Sequence, residues 1–350
     1  MQKGTRFSTR DLLPYVGNLS QLGGTRCYEL SEGRSRGVRA VDVDTGSGLC
    51  FTLLPDRGMD ISRCTYRGVN LAYHGGVGEV HPSFYEPHGQ GWLRGFFAGL
   101  LTTCGLTYLG QPCHDGAEEL GLHGRYSHSP ASRINDLCGW EKDGRFRIEL
   151  QADLQESLMM GPKLELRRRI VTHLGESRFL LHDRVTNSGG ESCPLTLLYH
   201  FNVGYPLLDL PARFELEAES CEPEDQGSAE AMHERFRVTA PNPQFRDTNY
   251  LYSGFTTNAG WASARFFNPE LRGGLGIAIG FKPEQLPYLN QWRMLGVRDY
   301  IMSIEPANAP CKSRHLLRER NQLPMLEPGE ARDVELSIEV IEHGKSDVVG

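Results

Sequence analysis

The sequence predicts an all-β protein, a large antiparallel β-sandwich with few and short helices. Short segments rich in β-branched and aromatic residues recur along the chain. The 40 glycines and 20 prolines are scattered like turn punctuation, without a collagen-like period. No helical pattern alternates with the strands, which argues against an α/β fold. A chain of 350 residues could hold two domains, yet all-β folds of such size often remain single, and no repeat or linker-like run divides it. The expected division is a lead-in over 1–24, one sandwich domain over 25–343 and a frayed tail over 344–350.

Strands are expected at 38–44 and 49–55, each bounded by Gly, Ser or Pro. The segments 146–154, 164–174 and 178–187 follow with alternating apolar positions. Further strands are expected at 195–203, 212–219, 275–281, 300–306 and 333–341. In the last, Val334, Leu336, Ile338 and Val340 fall at period two, the pattern of a half-buried strand. Helices are expected only over Ser8–Leu13 and around Trp92–Leu101, where the apolar run suits a buried strand equally. The polar stretch 219–248 reads as a long loop or insertion.

Net charge is −7 and the pI is near 6.0. That balance disfavours polyanions and leaves no basic stripe for nucleic acid. The run Arg167, Arg168, Arg169 would alternate between faces on a strand and so form no single patch. Nine cysteines, an odd number without a CxxC pair, do not read as a disulfide framework. No apolar segment approaches signal-peptide or membrane-span length, so the expected setting is a reducing cytoplasm with no membrane partner. Cys104 reads as a small buried hydrophobe.

Three clusters carry candidate chemistry. His123 sits between Leu122 and Gly124 in a glycine-flanked loop. His200 lies inside an apolar strand, facing with Leu198 and Asn202 and away from Tyr199 and Phe201. Glu305 ends another apolar strand, where a glutamate is rarely buried unless paired or functional. Each has a plain alternative: a loop histidine in solvent, a satisfied core histidine, or a glutamate bridged to Arg298 or Arg314. The histidines His74, His81, His88, His114, His123 and His128 match no metal-site spacing such as H-E-x-x-H, and a metal is a minority expectation.

Taken together, the clusters resemble the aldose 1-epimerase (galactose mutarotase-like) superfamily, in a divergent branch, over roughly 25–343. Tyr199-His200-Phe201-Asn202 resembles its histidine strand, Ile304-Glu305-Pro306 its Leu-Glu-Pro segment and His123-Gly124 its loop His-Gly. Arg94, twenty-nine residues before His123, stands about where its sugar-binding arginine would. Val185–Gly189 and Leu326–Glu330 resemble two of its turns. The family's asparagine before the strand histidine is replaced by Leu198 or Tyr199. Its Gly-x-Asp segment has no clean counterpart, and Asp247 is the nearest candidate.

The resemblance implies a mutarotase-like supersandwich and an isomerase of carbohydrate metabolism that interconverts anomers of a sugar. Glu305 would be the base at the C1 hydroxyl and His200 the acid at the ring oxygen. With ordinary pKa values of about 4.3 and 6.5, the pair suits neutral pH if the carboxylate keeps the imidazole protonated. His123 and Arg94 would orient hydroxyls. Proton transfer between side chains needs no cofactor. The implied partner is a monosaccharide or sugar derivative, with a homodimer left open. A carbohydrate-binding protein without chemistry, or another epimerase or lyase on the same scaffold, are the alternatives.

Sugar C–H faces pack on aromatic rings, which makes Trp92, Phe96, Tyr126, Trp292 and Tyr300 candidate platforms, Trp292 foremost. The Asp56-Arg57-Gly58 turn could reach the site or form a structural ion pair.

Overall fold

The computed structural model describes residues 9–343. Two large antiparallel sheets of eleven and nine strands dominate it. Alternation builds both. Along Ala331–Glu342, Val334, Leu336, Ile338 and Val340 are all buried, as their period of two requires.

The eleven-stranded sheet runs, edge to edge, through Gly24–Glu29, Arg39–Asp44, Leu49–Leu54, Asp60–Tyr66, Leu101–Leu106, Thr196–Val203, Tyr300–Ala307, Tyr288–Leu295, Thr248–Phe255 and Ala218–Pro223. Val69–Asn70 pairs off this path with Asp60–Tyr66. The nine-stranded sheet contains the long strands Phe146–Ser157, Lys163–His173, Arg178–Asn187 and Ala331–Glu342, followed by Leu275–Phe281 and Ala262–Asn268. Inward side chains of the two sheets share one apolar core. Phe51 of the first sheet stacks on Phe179 of the second with centroids 4.4 Å apart.

Charge also enters this core. Arg168 is wholly buried and forks onto Asp183, with Nε–Oδ1 at 2.9 Å and Nη2–Oδ2 at 2.7 Å. Its Nη1 donates to Asp60 Oδ1 at 2.7 Å, from one sheet to the other. Thr103 and Tyr199 supply the remaining hydroxyl bonds, to Asp60 and Asp183. A buried guanidinium is tolerable only with such complete pairing. Arg167 and Arg169 point the other way, to Asp153 and Glu149, so the arginine run does alternate faces.

The expected strands are present, with ends moved by a few residues, except 212–219, which divides between Arg213–Leu216 of the nine-stranded sheet and Ala218–Pro223 of the eleven-stranded one. The first helix spans Thr9–Leu12 and continues as a 3₁₀ turn over Leu13–Tyr15; Ser8 and the tail 344–350 lie outside the described residues. The Trp92–Leu101 segment resolves into a 3₁₀ turn, Gly91–Gly95, and the short strand Ala98–Gly99, ahead of the strand Leu101–Leu106. The stretch 219–248 is not one loop. It begins as the edge strand Ala218–Pro223 and includes a helix, Gln226–Glu230, capped by the Asp225 carboxylate on the Ser228 amide.

Candidate functional site

His200 and Glu305 stand side by side on neighbouring central strands. The register that pairs Leu198 with Ala307 and Phe201 with Ile304 sets His200 directly across from Glu305. Their side chains meet on the outer face, with His200 Nε2 3.2 Å from Glu305 Oε1. Both are buried, at 4% and 1% exposure. Neither Arg298 nor Arg314 takes the carboxylate; Arg314 binds Asp115 and Glu118 instead.

The carboxylate has two further partners, both absent from the sequence expectations. Asn290 Nδ2 donates to Oε2 at 2.7 Å, and the Ser303 hydroxyl donates to Oε1. Ser303 lies two residues before Glu305 and therefore on the same face, a relation that period two could have shown. Asn290 is the cross-strand neighbour of Glu305, which only the register of Tyr288–Leu295 reveals. Glu224, ion-paired with Lys312 at 3.4 Å, is close enough for the charge of Glu305 to add to the upward push that burial gives its own carboxyl.

Burial sets the protonation of the pair. Desolvation pushes Glu305 up to about 7, against the pull of the Ser303 and Asn290 hydrogen bonds. The same desolvation brings His200 down to about 3. Burial thus works against the expected imidazolium–carboxylate pair in the empty site: it favours a neutral imidazole and moves the titration of the carboxyl to near neutral pH. Two opposite charges taken out of water cost more than one shared proton.

His123 joins the pair from a loop. Its ring lies 6.3 Å from that of His200 and edge-on to Trp92 at 4.9 Å. The loop is laced to the sheet: Gly105 N donates to His123 O at 3.1 Å and His123 N to Gly110 O at 3.0 Å. Gly124 has φ +82°, and a Cβ there would stand 2.2 Å from Gly105 O, so only glycine allows this approach. Desolvation, then the neighbouring His200, brings His123 to about 3 and keeps it neutral. The Nδ1 atoms of His123 and His200 are buried without a protein partner.

Aromatic rings wall the site. Phe96 and Trp292 flank His200 at 5.3 and 5.9 Å, and both are partly exposed. Trp92 is buried behind Phe96, stacked on it at 4.5 Å. Tyr126 packs beside Arg168 in the core, and Tyr300 bonds Thr239 O at 2.5 Å. Asp247 is exposed and accepts from Trp292 Nε1 at 3.1 Å, which fixes the indole. Arg94 is exposed and paired with Glu86 at 3.2 Å, not with the His200–Glu305 pair. Its sequence distance from His123 carried no information on where a 3₁₀ turn would aim it.

The Asp56-Arg57-Gly58 turn is structural. Arg57 is buried and donates to Ser127 O, Val80 O and Gly95 O, each at 2.7 Å, while Asp56 pairs with Arg39. These bonds anchor the loop segments around the site. The histidine series disperses: His74 binds Asn70, His81 caps Ser83, His88 meets Glu119 and His128 lies against Arg57. Among the described residues no three metal-ligating side chains gather. None of their helices is long and apolar enough to cross a membrane.

The paired sheets, with a histidine and a glutamate on adjoining central strands, define a galactose mutarotase-like fold, in a divergent branch. The chain matches the family described as "Domain of unknown function (DUF4432)" over residues 35–340, and it belongs to that family. No curated protein matches the sequence. A candidate aldose 1-epimerase from Klebsiella pneumoniae superposes with a TM-score of 0.86 at 24% identity, covering 93% of this chain and 86% of that one. A galactose mutarotase-like protein from Clostridium acetobutylicum gives 0.64 at 12% identity over 92% and 99%. Galactose 1-epimerase from Lactobacillus acidophilus gives 0.60 at 13% identity over 91% and 99%. At such identities the likeness is one of fold.

Proposed function

We propose that this protein is a carbohydrate epimerase that interconverts the anomers of a sugar by acid–base catalysis at C1 and the ring oxygen. The observation that carries this reading is the contact between His200 Nε2 and Glu305 Oε1, 3.2 Å long, with the partly exposed rings of Phe96 and Trp292 beside His200. A site that only held a sugar would have no physical need for a buried acid and base in contact.

In the forward step Glu305 takes the C1 hydroxyl proton, His200 gives a proton to the ring oxygen, and the C1–O bond breaks. Rotation about C1–C2 turns the aldehyde over. The same two transfers run in reverse to close the opposite anomer. The pair starts with one proton and ends with one, so no further reagent is consumed. Because burial favours that proton on the carboxyl in the empty site, this order needs it to cross the 3.2 Å contact to His200 when the sugar binds, whereas the converse assignment, with Glu305 as acid and His200 as base, uses it where it rests.

His123 offers a neutral ring to a hydroxyl, and Trp292 offers its face to the sugar's C–H groups. Arg94 would reach a sugar only by leaving Glu86. The setting that goes with this reading is a cytoplasmic enzyme acting on a monosaccharide or sugar derivative.

The test is anomer exchange followed by NMR across aldoses, ketoses and their phosphates. Glu305→Gln should lower exchange of the true substrate by about 10²–10⁴-fold, the usual worth of a positioned acid or base, with the fold intact. Unchanged exchange would remove Glu305 from the chemistry.

A further inference from the structure

The outer face of the large sheet carries a concavity apart from the His200–Glu305 pair. It is a groove of about 430 Å³ over the strands Arg39–Asp44, Leu49–Leu54 and Asp60–Tyr66, with the edge strand Gly24–Glu29 beside it. That volume falls among small-molecule sites, about 300–1,000 Å³. From this groove we propose a second binding site, for a neutral, hydroxyl-rich ligand such as a further sugar unit. It borrows the ligand class from the reading above and nothing of its chemistry.

Two walls of different character support the assignment. Leu30 and the ring of Tyr28, both partly exposed, form an apolar wall backed by the buried Ala40 and Leu54. Facing them are Asp42, Thr52, Ser62, Arg63, Thr65 and Glu79. An apolar strip beside closely spaced donors and acceptors suits a sugar ring, which is apolar on its faces and polar at its rim.

The polar wall is partly preorganised and partly unsatisfied. Asp42 Oδ1 accepts from Tyr28 OH at 3.0 Å and from Thr52 Oγ1 at 2.6 Å, which holds the carboxylate and the ring in fixed relation. Arg63 is exposed and touches Glu79 only loosely, at 3.7 Å, so its donors remain free for a ligand. Ser62 is 1% exposed, lines the groove, and its Oγ has no hydrogen-bond partner. A buried hydroxyl left unpaired is costly; closed off from solvent as it stands, it would gain a ligand partner only where the wall yields to the bound hydroxyl.

Charge narrows the class. Asp42, Asp44 and Glu79 line the groove against the single guanidinium of Arg63. A phosphorylated or carboxylated ligand would meet more repulsion than attraction.

Protein-observed NMR of the full chain decides the matter, with methyl β-D-galactopyranoside and methyl β-D-glucopyranoside as probes, since their locked anomeric centre prevents turnover. The amides of Thr52, Ser62 and Thr65 should shift along a saturation curve distinct from that of Phe201 and Ala307. Thr65→Trp, which fills the groove, should abolish the first set and leave the second. Ser62→Ala, which keeps the volume, should weaken the first set several-fold. Glucose 6-phosphate should move it less than either glycoside.

The proposal is overturned if the groove amides stay fixed up to the limit of probe solubility, if they respond equally in Thr65→Trp and Ser62→Ala, or if only the phosphorylated sugar moves them. None of these outcomes bears on anomer exchange at Glu305, so the two readings fail separately.

Discussion

Tyr199 and His200 are consecutive residues that serve opposite sides of one strand. The Tyr199 hydroxyl donates to Asp183 Oδ2 at 2.8 Å in the core, while His200 Nε2 faces Glu305 on the outer surface. The strand that presents the imidazole is thus held from behind by the Asp60–Arg168–Asp183 network.

Removing one member of that network should be severe. Arg168→Met leaves two buried carboxylates without their cation, and unfolding in urea should show a loss of about 3–5 kcal/mol, the usual cost of breaking a buried pair. A loss comparable to that of a surface substitution would show that the network is dispensable.

The pH profile of anomer exchange should follow the pair rather than its members. The active state holds one proton, whichever assignment of acid and base is correct. Ordinary values would confine activity to between about 4.3 and 6.5. Burial instead places Glu305 at about 7 and His200 at about 3. Activity should persist at pH 6.5 and fall as pH rises through 7. A plateau reaching pH 9 would contradict this.

Ser303→Ala should move that limb upward. The hydroxyl bond favours the charged carboxylate, so its loss raises the Glu305 pKa further. A rate–pH curve whose basic limb stays in place, or shifts down, would show that the hydroxyl does not tune the carboxyl.

Stability should carry the same signature. The carboxyl of Glu305 is raised in the folded state, so its contribution is full below the unfolded value of 4.5 and is lost as pH rises through about 7. Across that window the wild type should lose stability relative to Glu305→Gln, which does not titrate there. Parallel denaturation curves at pH 5 and pH 8 would refute it.

Trp292→Ala should raise KM by roughly three- to tenfold, as befits an aromatic contact of about 0.5–1.5 kcal/mol, with a smaller change in kcat. Asp247→Ala frees the indole without removing it and should raise KM less. Equal or inverted effects, read from steady-state exchange kinetics, would place the ring outside the sugar's path.

Much of the fold was legible because apolar alternation is local. Ala331–Glu342 announces itself in this way, and Leu275–Phe281 by a short run that is apolar and buried throughout. Asp60–Tyr66 and Tyr288–Leu295 do not, since they bury Asp60, Asn290, Gln291 and Arg293, and each needs partners that lie far off in sequence. For the site, His123, His200 and Glu305 stood out as polar residues in unusual settings, and the structure brings all three together. Asn290 and Ser303 are of common types and gain meaning only from register. The twenty-nine-residue interval between Arg94 and His123 fixes no direction in space, and Arg94 turns to Glu86.

The two proton-bearing groups occupy the hydrogen-bonded middle of a sheet, whereas Arg94, Asp247 and the 219–248 segment belong to its margins. On the epimerase reading, changes among those marginal pieces would redirect the choice of sugar while the central pair stays as it is. Diversification of such a scaffold would be expected to accumulate there first.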